Sequence, residues 1–173
     1  MTEHFHFDVP AAGAYRIDPT SSSIAFTGRH FFGLGTVAGS FALSAGEVTI
    51  ADALLSSKVT AVTLASSFST GTSGRDKAVQ SARFLNATQH PEIGFRSTAL
   101  RDDGSCWVLC GDLIAAGTSA PCEFTIVSMT ADESSFTAEA TATIDRYAHG
   151  INKMKGMAGR FVDLAITAHA IRA

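Results

Sequence analysis

The most constraining feature of this chain is a pair of alternating segments near its C-terminal end. In residues 135–144, Phe136, Ala138, Ala140, Ala142 and Ile144 alternate with Thr137, Glu139, Thr141 and Thr143. In residues 161–171, Val162, Leu164, Ile166, Ala168 and Ala170 alternate with Asp163, Thr167 and His169. A period of two puts one face of each segment in an apolar interior and the other in water, the pattern of an antiparallel sheet wetted on one side.

Most of the remaining chain carries the same punctuation. Strands are predicted at residues 15–18, 24–30, 37–43, 47–50, 55–64, 93–100, 106–115 and 122–129, separated in most cases by Gly or Ser clusters. Residues 74–86 break the pattern: Asp76, Ala78, Val79, Ala82 and Leu85 follow a capping-box-like Ser73 with spacings of three and four, which predicts a short amphipathic helix. The predicted fold is mainly β: an antiparallel barrel of about eight strands, one opening of which the helix covers. Residues 1–12 read as a loosely held arm and 13–173 as one barrel domain.

A barrel of about eight strands has an interior that side chains just fill, unless those side chains are small. Here the inward rows are rich in alanine. The predicted lining is Phe26, Phe41, Phe95 and Phe136, then Ala138, Ala140 and Ala142, then Leu164 and Ile166, with Phe68 and Trp107 on segments whose parity is ambiguous. The alternative is that large residues among the 12 Phe fill the space.

Bulk properties exclude several classes. With 46% hydrophobic and 17% charged residues the chain is not disordered, and a net charge of -3 provides no basic field for nucleic acid. No apolar run is long enough for a membrane-spanning helix, and residues 1–13 lack the basic and apolar regions of a signal segment, so a cytoplasmic location is expected. Cys106, Cys110 and Cys122 are an odd number, the first two too far apart along a strand to bridge, and free thiols are expected.

Chemical motifs are sparse. Gly33-Leu34-Gly35 precedes a predicted strand, whereas a phosphate cradle needs a helix N-terminus there, so it reads as a turn. His4 and His6 lack a third metal ligand at local spacing, and none of the thiols neighbours a histidine. No cofactor or metal is expected. His30 ends the apolar face of its strand, either as a core histidine or as a polar group at the end of the cavity. Residues 145–160 carry Arg146, His149, Lys153, Lys155 and Arg160 among glycines and methionines, either a solvated basic loop or a pliable lid whose cations, Arg146, Lys153 and Lys155 foremost, meet an anionic head group.

Tyr15-Arg16-Ile17-Asp18, Ser23-Ile24-Ala25-Phe26, His30, Val37, Gly39 and Phe41 together resemble the opening of the YceI-like proteins, a lipocalin-like family. The resemblance continues through Ser69, Arg75-Asp76, Phe84-Leu85, Pro91-Glu92-Ile93-Gly94-Phe95, Gly111-Asp112-Leu113, Gly117-Thr118, Pro121, Asp145-Arg146 and Gly150, over residues 14–172. Departures are Lys77-Ala78-Val79 after Arg75-Asp76, Ser22 in place of a common histidine, and no basic residue between Thr118 and Pro121. The resemblance implies an extended barrel, closed near one end by the helix, that binds a polyisoprenoid or another long-chain amphiphile without catalysis, often as a homodimer. Two other readings stay open: an enzyme acting on a small hydrophobic substrate through His30, Asp145 or Arg146, and a dimeric scaffold with a filled core.

Overall fold

A computed structural model of the chain describes residues 7–30 and 35–173, with the side chains of residues 29 and 30 outside the description. Its strands are β1 (Gly13–Ile17), β2 (Ser23–His30), β3 (Gly35–Phe41), β4 (Leu43–Ile50), β5 (Lys58–Leu64), β6 (Glu92–Asp102), β7 (Trp107–Ala115), β8 (Thr118–Ala131), β9 (Ser135–Asp145) and β10 (Ala158–Arg172). One α-helix, α1 (Ser73–Gln80), lies between β5 and β6. The strands pair in the order β1-β4-β5-β6-β7-β8-β9-β10, and β10 returns to β1, so eight antiparallel strands close a barrel.

The β2–β3 hairpin extends this ring along β10. Pro19–Ser21 forms a 3-10 turn started by Asp18, whose carboxylate accepts the Thr20 N–H at 3.0 Å. The turn divides what would be one long strand, so β10 pairs with β1 at Tyr15↔Arg172 and with β2 at Ile24↔Ile166. Along β9 and β10 the register sets Ala138 opposite Ala168, Ala140 opposite Ile166 and Ala142 opposite Leu164. Residues with small or branched apolar side chains thus face each other across adjacent strands on the inner side.

Three differences from the sequence reading have local causes. The strand predicted from residue 55 begins at Lys58, because Leu54–Ser56 makes a 3-10 turn. β8 begins at Thr118 and runs through Pro121, which pairs with Asp112 of β7, whereas pairing with β9 starts only at Thr125. A proline lacking an N–H is tolerated where its other edge is unpaired. The helix is shorter than the predicted 74–86: Asp76 accepts the Thr70 N–H and hydroxyl instead of completing a capping box, and the Ser81 N–H bonds back to Ala78. The turns that follow bring Leu85 into a cluster with Ala65 and Ile151, joined by Val79 and Phe84, which covers one end of the barrel.

The other end is packed by Tyr15, Ile17, Val48, Ile50, Met129 and Phe136. Tyr15 is 2% exposed, its ring edge-on to Phe136 and its hydroxyl donating to the Ala11 carbonyl at 2.7 Å. Of the predicted arm, the Asp8 N–H donates to the Met129 carbonyl at 2.7 Å, and Phe7 lies 4.9 Å from the Trp107 ring. His4 and His6 lie outside the described residues, as do Gly33 and Leu34.

Candidate ligand cavity

The inner face of the barrel does not fill. A cavity of about 310 Å³ is walled by residues from every strand of the ring, from Val48, Ile50 and Met129 at one end to Arg146, His149 and Ile151 at the other. Its size is that of a small-molecule site, and its wall is almost wholly apolar. The space exists because β9 and β10 contribute Ala138, Ala140, Ala168 and Ala170 where larger side chains would meet across the axis.

Of the residues predicted to line it, Phe41, Phe95, Trp107, Phe136, Ala138, Ala140, Leu164 and Ile166 stand on the wall. Ala142 also points inward, but it packs against Phe95, Cys122 and Phe124 and does not reach the open space. Phe26 and Phe68 stack with centroids 4.9 Å apart, and Phe41 lies 5.6 and 5.5 Å from them, so of the three rings only Phe41 reaches the wall. The Phe26 ring is seated over Gly39, its cross-strand partner, where a Cβ would come within 2.5 Å of it. The His30 side chain lies outside the described residues.

The cations of the 145–160 segment separate. Lys153 and Lys155 are exposed, and the Lys155 ammonium sits 5.1 Å from the Tyr147 ring centroid. Arg146 turns inward and is only 8% exposed. Its Nε donates to the Gly159 carbonyl at 2.8 Å, Nη1 to Ile151 at 2.9 Å and Nη2 to Ala158 at 3.1 Å. The cation therefore ties the returning loop to the barrel wall as well as facing the cavity. Burial pushes its pKa below the usual arginine value, yet a guanidinium stays protonated at any physiological pH.

His149, which the sequence places in the basic 145–160 segment without marking it as a site residue, also stands on the wall. It ends a 3-10 turn, Arg146–His149, that the Asp145 carboxylate starts by accepting the Tyr147 N–H at 3.0 Å and that Gly150 ends in the left-handed conformation, φ 73°. This turn directs both Arg146 and His149 inward. His149 is 4% exposed and neither ring nitrogen has a hydrogen-bond partner. Burial depresses its pKa, which keeps the ring neutral near pH 7, with Asp145 opposing the shift. A buried polar group left unpaired costs about 1–3 kcal/mol, so the residue is an expense to the fold on its own.

Among the described residues no cluster of three or more His, Cys, Asp or Glu side chains is placed to hold a metal, and no helix is long and apolar enough to cross a membrane. The three cysteines are free.

Comparison with solved structures agrees with the architecture. Burkholderia cenocepacia BcnA superposes with a TM-score of 0.79 over 88% of this chain and 98% of its own, at 16% identity. A polyisoprenoid binding domain from Saccharophagus degradans, implicated in plant cell wall breakdown, gives a TM-score of 0.70 over 94% of this chain and 100% of its own, at 10% identity. In sequence, a UPF0312 protein of Pectobacterium carotovorum is 38% identical over 64 residues, 37% of this chain and 33% of the relative. The Shigella flexneri protein YceI is 38% identical over 64 residues, 37% of this chain and 34% of its own. The matched part thus spans about a third of these relatives. The YceI-like domain model matches residues 15–170, nearly the whole barrel, and the chain belongs to the YceI-like family.

Proposed function

We propose that the protein binds and carries, or stores, a long-chain lipid of the polyisoprenoid or fatty-acid type inside its barrel, without catalysing a reaction on it. The observation that carries this reading is the cavity itself: an apolar space of about 310 Å³ walled by all eight strands and kept open by a row of alanines. Each buried methylene contributes about 0.8 kcal/mol, against an association cost on the order of 4–15 kcal/mol, so about 5–19 methylenes are needed merely to offset association and long chains are favoured. Short hydrophobic molecules gain too little to stay. The name of the Saccharophagus degradans neighbour, a polyisoprenoid binding domain, points the same way.

Acid–base catalysis on a small substrate finds little support in the wall. Among the described residues Arg146 and His149 are its titratable groups and no carboxylate lines it, and Asp145 is engaged outward with Arg160 at 2.8 Å. A general acid–base pair needs two groups within reach of the reacting atoms.

The test is to denature the protein purified from its own cells and analyse the extracted lipid by mass spectrometry against a mock purification. A stoichiometric long-chain lipid is expected. An empty extract, still empty after incubation with a mixture of polyprenols and fatty acids, overturns the proposal. An Ala140→Trp variant provides the structural control: the added ring projects into the cavity and is expected to lower lipid occupancy at least tenfold.

A further inference from the structure

We propose that the end of the cavity walled by Arg146 and His149 seats the end group of the bound chain, and that this end group is a carboxylate. The inference rests on the long-chain reading of the cavity and adds to it the chemical class and the orientation of the guest.

Three other polar groups on the wall are already engaged, while Ser23 is exposed and Thr167 is half-buried, so neither is a polar group shut away from water. The Ser57 hydroxyl accepts the Ala51 N–H at 3.0 Å, the Ser22 hydroxyl accepts the His169 N–H at 2.9 Å, and the Thr63 hydroxyl donates to the Ala42 carbonyl. His149 differs from them: its ring borders the cavity, it is 4% exposed, and both nitrogens lack partners. A half-turn about the Cβ–Cγ bond exchanges Nδ1 with Cδ2 and Nε2 with Cε1 while preserving the outline of the ring. Either edge can therefore be presented to a guest, and a neutral imidazole offers one N–H donor.

Arg146 determines which guest. It makes no ion pair among the described residues, since its neighbour Asp145 is committed to Arg160. Three of its N–H groups donate to the carbonyls of Gly159, Ile151 and Ala158, and a guanidinium has five. The site thus combines an uncompensated cation, spare donors on it, and a separate imidazole donor three residues along the same turn. A carboxylate has one negative charge and two acceptor oxygens in a plane, the complement of that set. An alcohol leaves the charge unmet, and a diphosphate brings more negative charge than one guanidinium neutralises.

Palmitate and hexadecane, chains of equal length with and without the carboxylate, would each be titrated against N-phenyl-1-naphthylamine bound to the full-length protein and to its His149→Phe variant. The variant is expected to weaken palmitate about tenfold more than it weakens hexadecane, the effect of losing a hydrogen bond to a charged group. Equal weakening of both, or none of either, overturns the end-group assignment while leaving the long-chain reading intact. Failure of both to displace the probe from the unaltered protein overturns the long-chain reading, and this inference with it. A second measurement needs no variant: nitrogen NMR of the histidine rings in the unaltered protein. A His149 ring nitrogen is expected to shift with palmitate and to remain in place with hexadecane; a signal unmoved by palmitate overturns the assignment.

Discussion

Asp145 and Arg146 are adjacent in the chain and do not pair with each other. Asp145 faces outward and holds Arg160 through bonds of 3.0 and 2.8 Å, which lower its pKa, while Arg146 faces inward and holds backbone carbonyls. Half-exposed ion pairs contribute little, whereas charge-assisted bonds to buried carbonyls contribute about 1.5–3 kcal/mol each.

Arg146→Met is therefore expected to destabilise the protein by about 3 kcal/mol or more, because it strands the carbonyls of Ile151, Ala158 and Gly159 together. Lysine at 146 is not expected to rescue it, since a single ammonium lacks the fork that reaches all three. Asp145→Asn keeps an oxygen for the Tyr147 N–H and is expected to cost far less. Denaturant unfolding of the three variants checks the order, and hydrogen exchange in residues 151–159 should rise only when Arg146 is replaced.

Gly39 and Gly111 each lie beneath a phenylalanine ring from the neighbouring strand. A Cβ on either would come within 2.5 Å of the Phe26 or Phe95 ring and would also press on the carbonyl oxygen of Ser69 or Arg96. Alanine at 39 or 111 is expected to cost about 1–3 kcal/mol, the range for forcing an extra carbon into a packed interior. Gly28 is the control: a Cβ there meets nothing within 4 Å, and Gly28→Ala is expected to be neutral or to stabilise by about 0.4–1 kcal/mol through the unfolded state. Thermal unfolding distinguishes the cases.

The alternation along β9 and β10 made their inward faces legible, and with them most of the wall, because a period of two is a property of sequence alone. Ala142 shows the limit: its parity is right, but Phe95, Cys122 and Phe124 occupy the space it faces, and they arrive from other strands. Phe68 was ambiguous because it follows the 3-10 turn Ala65–Ser67, where no strand parity applies. His149 left no periodic signal for the same reason. Nor does a basic, glycine-rich loop announce an inward arginine; Arg146 is drawn in by carbonyls of residues 151, 158 and 159, which become its partners only once the loop returns to form β10.

The thiols offer a test of burial independent of ligand. Cys122 is 7% exposed, and burial pushes its pKa up to about 11, whereas Cys106 and Cys110 are only partly buried. At pH 8 roughly one Cys122 in a thousand is then a thiolate, the reactive form. Ellman's reagent is expected to modify Cys106 and Cys110 in the folded protein and to reach Cys122 only on addition of denaturant. Modification of Cys122 at the rate of the other two would mean that the barrel opens locally around it.

His149 couples stability to pH with a definite sign. Its folded pKa lies below the ordinary histidine value of 6.5, because burial disfavours the cation more than Asp145 favours it, and Arg146 on the same turn adds no opposing negative charge. Above that value neither folded nor unfolded chain holds the proton, and stability is fully present. Below it the unfolded chain binds a proton that the folded chain refuses, so stability falls as pH falls, by at most about 1.4 kcal/mol per pH unit, until the folded pKa is reached. His149→Phe removes this dependence. Measured by denaturant unfolding, the difference in stability between the variant and the unaltered protein is expected to grow in favour of the variant from pH 7.5 to pH 5.5. A difference that stays constant over that range would mean that the imidazole takes up its proton inside the barrel as readily as in water.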